Sequence, residues 1–247
     1  MKRRDILFAA LGLALIWQIV AMLLNRSILP TPIEVTNVFF KELGNGLLLE
    51  HALASLWRVV AGTVLSVLAA VPAGLAIGGS KTVNRIFSPI IYLLYPIPKV
   101  VFVPIVLLFL GIGDTAKIAI IFLILFFQIV VLVRDQAAAL PPQLMQSLRS
   151  LGAGRRALFR FVYLPASLPA ILTALRQSVG TAVAVLYIAE LFATTRGLGY
   201  YIYYKGSTLL NYPAMYAGVV AMSMMGLGLY FTVDWLERWL CPWKFVS

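Results

Sequence analysis

Histidine and cysteine are almost absent: His51 and Cys241 are each the only residue of their kind in 247. One thiol closes no intramolecular disulfide, and one thiol with one imidazole falls short of the four ligands of a structural zinc site, which argues against redox or metal function. Charge is scarce too, at 12% of residues, and acid is the scarcer sign, with nine Asp and Glu against 20 Lys and Arg. A water-soluble domain carries about 25% charged and roughly 45–50% apolar residues. With 62% of this chain hydrophobic, water is the wrong solvent for most of it, and an integral membrane protein is implied. The net charge of +11 would suggest nucleic acid in a soluble protein. In a membrane protein, Lys and Arg instead gather on cytoplasmic loops.

Crossing about 30 Å of hydrocarbon takes about 20 mostly apolar residues at roughly 1.5 Å per residue. Six stretches qualify: Ile6–Leu24, Val59–Ile77, Ile86–Leu110, Ile118–Val133, Leu164–Phe192 and Ala214–Val233. The chain therefore reads as all-α and polytopic, a single transmembrane domain over residues 1–247 with an N-terminal extra helix at about 6–24 and a core at about 59–233. Pro89, Pro96, Pro98 and Pro104 predict a break in the third stretch near Tyr95–Val100. Lys2-Arg3-Arg4 before an apolar run also fits the front of a signal peptide, but the run is long and Leu24-Asn25-Arg26-Ser27 offers no A-x-A-like cleavage site. The first stretch is read as retained.

Six spans put both termini on one side. With that side cytoplasmic, the inner segments hold Lys2, Arg3, Arg4, Lys81, Arg85, Arg134, Arg149, Arg155, Arg156, Arg160, Arg238 and Lys244. The outer segments hold Arg26, Lys41, Arg58, Lys117, Arg196 and Lys205, half as many, and Lys99 and Arg176 fall within spans. The bias predicts both termini inside.

One cytoplasmic connection, about residues 134–163, is long and organised. Pro141-Pro142 opens it, and Gln143–Leu151 fits a short helix with Leu144, Leu148 and Leu151 on one face. Gly152 supplies a helix stop, followed by Gly154. A second helix is expected over Arg155–Val162, with Arg156 and Arg160 one turn apart, and Pro165 is expected to end the unit. Read from the residues alone, this is either a surface hairpin joining two spans or a helix–turn–helix that docks on a partner.

The run Gln146-Ser147-Leu148-Arg149-Ser150-Leu151-Gly152-Ala153, continuing through Phe159 to Leu164-Pro165-Ala166-Ser167-Leu168-Pro169, resembles the cytoplasmic signature of binding-protein-dependent ABC importer permeases. That signature is Glu-Ala-Ala, three residues, Gly, then a later Leu-Pro. Gln146-Ser147-Leu148 stands where the family usually has Glu-Ala-Ala, which weakens any salt bridge from that position while leaving a glutamine able to hydrogen-bond. Leu29-Pro30-Thr31-Pro32, Ser55-Leu56-Trp57-Arg58, Ile97-Pro98-Lys99, Gly111-Ile112-Gly113, Ala189-Glu190 and Gly197-Leu198-Gly199-Tyr200 look like landmarks of the subfamily importing nitrate, sulfonates, taurine, bicarbonate and thiamine-precursor pyrimidines.

The resemblance implies a type I ABC importer permease fold in the bacterial cytoplasmic (inner) membrane. It implies a second copy of the permease, a cytoplasmic ABC ATPase dimer and an external solute-binding protein as partners, besides the lipid bilayer, and no nucleic acid. ATP and Mg would sit on the ATPase; this chain has no G-x-x-x-x-G-K-[ST] loop, binds no cofactor and is no enzyme on this reading. The loop would be a coupling helix, with Leu148, Leu151 and Phe159 docking, Gly152 aiming the turn, and Gln146 hydrogen-bonding. Arg149, Arg155 and Arg156 either reach acidic residues of the ATPase or are solvated or lipid-facing.

Charges inside spans need an account. Lys99 is either a cation beside the translocation path, suited to an anionic or polar solute, or a partner of Glu190 or a snorkelling side chain. Glu190 either lines the gate or closes the bundle, and Arg176 is read as structural. His51 and Cys241 are read as surface and interface residues. The tyrosines of Tyr200–Tyr204 are read as an interfacial belt or a docking patch for the binding protein. A secondary transporter is the rival reading, but no internal repeat is evident. A membrane enzyme lacks the paired acid–base or metal groups it would need.

Overall fold

In a computed structural model, the chain is described over residues 3–150, Gly152, residues 154–192 and residues 194–244. Eleven α-helices, with no strand, occur among the described residues: α1 Arg3–Leu24, α2 Pro32–Gly44, α3 Leu47–Gly78, α4 Lys81–Leu94, α5 Val103–Leu110, α6 Asp114–Ala138, α7 Pro142–Ser150, α8 Arg155–Leu158, α9 Leu164–Leu191, α10 Leu198–Tyr203 and α11 Tyr212–Leu240. Short 3₁₀ turns precede α5 (Lys99–Phe102) and follow α11 (Pro242–Lys244), and π turns precede α9 (Phe159–Tyr163) and follow α10 (Tyr204–Thr208).

Among the described residues, four helical stretches are long and apolar enough to cross a membrane: Leu47–Gly78, Asp114–Ala138, Arg156–Leu191 and Tyr212–Leu240. A fifth candidate is the pair Lys81–Leu94 and Lys99–Leu110, bent by 79° at the expected break. Among the described residues the first apolar run is Phe8–Leu24, within α1. Five of the six expected stretches thus correspond to four full spans and one broken one, and the sixth lies within the 22-residue α1. Pro165 does not end the loop as expected. It is the second residue of α9, directly after the π turn, and the helical stretch runs through it from Arg156 to Leu191 at the loss of one backbone donor.

The chain forms two compact units, one of residues 1–56 and 190–225, the other of residues 57–189 and 226–247. The first is built around turns and caps. Thr31 caps α2 reciprocally: Glu34 N donates to Thr31 Oγ1 at 3.3 Å and Thr31 N donates to Glu34 Oε2 at 2.9 Å. Trp17 Nε1 donates to Pro30 O at 3.1 Å, and its ring lies 5.8 Å from that of Tyr216.

The second unit is organised by α6, whose buried face runs through Ala116, Ile120, Ile121, Ile124, Ile129, Val130, Val133 and Ala137. Opposite it α3 presents a small residue every fourth position, Gly62, Ser66, Ala70, Gly74 and Gly78. A Cβ on Gly62 would lie 2.7 Å from Ile121, and one on Gly74 2.8 Å from Val133. Ser66 Oγ donates to Gly62 O at 2.6 Å, with Phe122 O of α6 3.3 Å away. This is how helices associate in lipid, where apolar side chains gain nothing by leaving the acyl chains for one another and close backbone approach supplies the attraction.

Two basic residues assigned to outer loops belong to helices of this unit. Arg58 is buried in α3, its Nε donating to Asp114 Oδ1 at 2.8 Å, and Lys117 is buried in α6, its Nζ donating to Ile112 O at 2.6 Å. Arg176 is structural as expected: it reaches Asp234 at 2.8 Å and Glu237 at 3.1 Å, and Lys244 closes on the same Glu237 at 2.5 Å. Cys241, read as an interface residue, is fully buried, and burial followed by the nearby Glu237 charge pushes its thiol up from the usual range. Both effects disfavour the thiolate, the reactive form.

Candidate functional site

The organised loop takes the expected form of two helical pieces about a glycine. In α7, the Ser147 and Ser150 hydroxyls each donate to the carbonyl four residues back, at 3.0 Å. Gly152 has φ +82°, a left-handed conformation that side chains with a Cβ rarely adopt, and nothing lies within 4 Å of where a Cβ would stand. The glycine is required by the backbone and not by crowding. Two of the helical pieces then fold on a small core of Met145, Leu158 and Val162, with Leu140, Leu148 and Tyr163 packed against it. Tyr163 also donates its hydroxyl to Gly79 O at 3.1 Å, tying the loop to the end of α3.

Of the residues assigned to coupling, Gln146, Gly152, Arg156 and Phe159 are exposed, whereas Leu148 is half-buried on the loop's own core. The side chains of Arg149 and Arg155, and Leu151 altogether, lie outside the described residues. Phe161, which the sequence reading passed over, is 67% exposed and carries Arg160 over its ring at 5.8 Å. Phe159, Phe161, Arg156 and Arg160 therefore stand exposed together in one short stretch. Aromatic and arginine side chains of this kind are the usual anchors of protein interfaces.

Lys99 and Glu190, both proposed for the path, belong to different units. Each has its own partners within its own unit. At the break after α4, Pro96 and Pro98 carry no N–H and the helix stops, so its last carbonyls lose the donors of a continuing helix, Leu94 O keeping only a long contact from Ile97 N at 3.4 Å. Lys99 Nζ donates to three of them, Leu94 O at 3.0 Å, Tyr95 O at 2.8 Å and Ile97 O at 3.2 Å. The same ammonium lies 5.5 Å from the Tyr95 ring centre and 5.1 Å from that of Phe127. Lys99 is the cap that makes the broken helix tolerable. Lys99→Met is accordingly expected to lower the thermal unfolding midpoint of the detergent-solubilised protein by roughly 2–4 °C, for the loss of about 1 kcal/mol of charged hydrogen bonding. Lys99→Arg should retain most of it. A lysine whose whole use is to meet a solute would leave the midpoint where it was.

Glu190 is completely buried in the other unit. Ser55 Oγ donates to its carboxylate, 2.9 Å from Oε1 and 2.8 Å from Oε2, and Gly199 N donates to Oε2 at 2.8 Å. Leu198 N donates to Ser55 Oγ at 2.8 Å, and Gly197 N donates to His51 Nδ1 at 3.0 Å. Three successive amides at the start of α10 thus find three side chains, two of them on α3. The arrangement satisfies donors that a helix start leaves open. His51 is consequently buried, not a surface residue, and its lone-pair nitrogen faces an amide, the choice that a buried imidazole beside an N–H donor imposes.

The tyrosine cluster divides likewise. Tyr201 is 1% exposed and donates its hydroxyl to Glu42 Oε2 at 2.7 Å, with Lys205 on the other oxygen at 2.9 Å. Burial first, then the hydrogen bond and charge of Glu42, push the Tyr201 hydroxyl well above its ordinary range. Tyr203 and Tyr204 are exposed, and the half-buried Tyr200 stacks on Tyr204 at 5.5 Å, so these and not Tyr201 suit a belt or a docking patch.

The profile of the family described as "Binding-protein-dependent transport system inner membrane component" matches residues 62–245. The taurine transport system permease protein TauC of Escherichia coli is 33% identical over 235 residues, covering 92% of this chain and 85% of the relative. The aliphatic sulfonates transport permease protein SsuC of Bacillus subtilis, named as putative, is 28% identical over 231 residues, covering 93% and 83%. Among solved structures, a chain of the methionine ABC transporter MetNI in inward-facing form superposes with a TM-score of 0.67 at 20% identity, over 78% of this chain and 96% of that one.

Proposed function

The chain belongs to the binding-protein-dependent transport system inner membrane components, and from that membership we propose that its loop of residues 143–162 couples an ATPase to solute movement. It is a polytopic ABC permease whose curated relatives are permeases of taurine and sulfonate systems. On this proposal the solute is small and polar or anionic, two copies of the chain line one path, and an external binding protein delivers the solute. ATP and Mg act on a separate cytoplasmic ATPase dimer, and both termini of the permease face that side of the inner membrane.

The observation that carries the proposal is the loop's construction. A hairpin that only joined two spans would have no use for a core of its own, a left-handed glycine and a tie to α3. Together these make a small rigid body with Gln146, Arg156, Phe159 and Phe161 turned outward. A rigid body can transmit displacement of an ATPase surface to α9, with which it is continuous. Gln146 supports a neutral hydrogen bond to the ATPase where an acid would support an ion pair.

The test is reconstitution of the permease with its ATPase and binding protein in sealed vesicles, reading uptake and ATP hydrolysis together. Gly152→Val, which forces a β-branched residue into a left-handed backbone at a cost of about 1–3 kcal/mol, is expected to bring uptake down to the level seen without ATP. Hydrolysis should lose its stimulation by loaded binding protein. Normal stimulated uptake by that variant, or uptake driven by a nonhydrolysable nucleotide, would remove the coupling role.

A further inference from the structure

In the unit of residues 57–189 and 226–247, α3 and α6 end together. A Cβ on Gly78 would press on Arg134 O and lie 2.7 Å from Ala137 Cβ, so the start of α4, three residues on from Gly78, belongs to the same end of the unit as the last turns of α6. Each helix contributes an arginine there. Arg85 and Arg134 line one cavity of about 610 Å³, whose walls include Pro89, Tyr92, Tyr95 and Val131.

The charges in this cavity are one-sided. Arg134 Nε and Nη2 both go to Asp135 Oδ1, at 2.9 and 2.6 Å, and that aspartate is itself 58% exposed. Among the described residues, Nη1 of Arg134 and the whole guanidinium of Arg85 meet no acidic group. The Ser88 hydroxyl in the lining is already used, donating to Asn84 Oδ1 at 2.6 Å. Among the described residues, no carboxylate lines the cavity. Beyond the arginines its surface is mostly hydrocarbon and tyrosine ring, and Ile86, Ile90 and Leu93 of α4 are exposed beside it.

A cationic end joined to an apolar wall, at the level where apolar spans finish, matches the shape of a lipid: phosphate at the membrane surface, acyl chain in the hydrocarbon. We propose that this cavity binds the headgroup of an anionic phospholipid, with its phosphate between Arg85 and Arg134 and an acyl chain along Pro89, Tyr92 and Tyr95. A freely soluble oxyanion shares the phosphate chemistry but has no use for the apolar wall. The proposal does not depend on the coupling role of the loop or on which way the chain faces.

The full permease, purified with its ATPase in mild detergent, is equilibrated with an equimolar mixture of phosphatidylglycerol and phosphatidylcholine, and the lipid it retains is counted by native mass spectrometry. The wild type is expected to retain phosphatidylglycerol in preference. Arg85→Gln together with Arg134→Gln should cut that preference about thirtyfold, at roughly fivefold for each cation near an anionic headgroup, whereas the double lysine variant should keep much of it. Arg26→Gln, in the other unit, should leave it unchanged. An unaltered preference in the glutamine variant overturns the proposal. So does displacement of the wild type's phosphatidylglycerol by millimolar methanesulfonate or inorganic phosphate, which assigns the cavity to a soluble anion. That last measurement uses wild-type protein and decides the matter even if the glutamine variant fails to fold.

Discussion

Glu190→Leu is expected to give a permease that neither transports nor survives purification at the yield of the wild type. The carboxylate is fully buried and receives Ser55 Oγ and Gly199 N, while Ser55 in turn receives Leu198 N. A leucine takes both acceptors away and leaves a hydroxyl and an amide in an apolar site, each costing about 1–3 kcal/mol when unsatisfied. The sum, roughly 3 kcal/mol or more, is a large part of a typical stability of about 5–15 kcal/mol. Thermal unfolding in detergent separates this from loss of a pathway group. Glu190→Gln, which keeps one acceptor oxygen, should fall between the two, and Ser55→Ala should be milder than Glu190→Leu because Gly199 keeps its partner. If instead Glu190→Leu melts like the wild type and only transport fails, the carboxylate is a solute contact and the clamp on α10 is incidental.

The second large effect is expected at Gly78. A Cβ there would overlap Arg134 O and stand 2.7 Å from Ala137 Cβ and 3.1 Å from Ala138 N. Two of those three obstacles are backbone, which cannot rotate aside. Gly78→Leu must therefore push the ends of α3 and α6 apart, and the cost is about 3 kcal/mol, at the upper end for overpacking. Gly78→Ala already brings the offending atom and should be nearly as severe. Gly62→Ala, which meets chiefly the Ile121 side chain, should be more easily absorbed. The order of melting temperatures, Gly62→Ala above Gly78→Ala above Gly78→Leu, is the check. Equal midpoints for the two alanine variants would mean that the ends of the helices are free to separate.

What could be read in advance depended on how far the signal travels along the chain. The break after Leu94 was legible because prolines act on their own neighbours, and the loop was legible because Gly152 and the leucines before it lie within a few residues. The capping box of Thr31 and Glu34 is equally local but lies outside any long apolar run, so apolar length alone reveals neither α2 nor the first turns of α3. The four-residue spacing of Gly62, Ser66, Ala70, Gly74 and Gly78 was also in plain view. It says which face of α3 is buried, a question that counting spans never asks. His51, Ser55 and Glu190 are different in kind. Ser55 and Glu190 are 135 positions apart, and no local pattern marks either as the other's partner. Lys99 was recognised as needing an explanation, yet the explanation lay in the carbonyls of residues two to five positions before it, which have no letter of their own in a sequence.

The π turn at Phe159–Tyr163 carries a consequence for how such a chain changes over time. A π turn holds one residue more than the α turn it replaces, so it works as a phase shifter between two helical registers. Deleting any one residue there would turn the stretch from Arg156 to Leu191 into uninterrupted α-helix and rotate everything before it by about 100° relative to α9. The face shown by Arg156 and the faces of the long helix are thus set by separate stretches of sequence. Substitutions can retune the fit to one neighbour without disturbing the fit to the other, so long as the count of residues between them is kept.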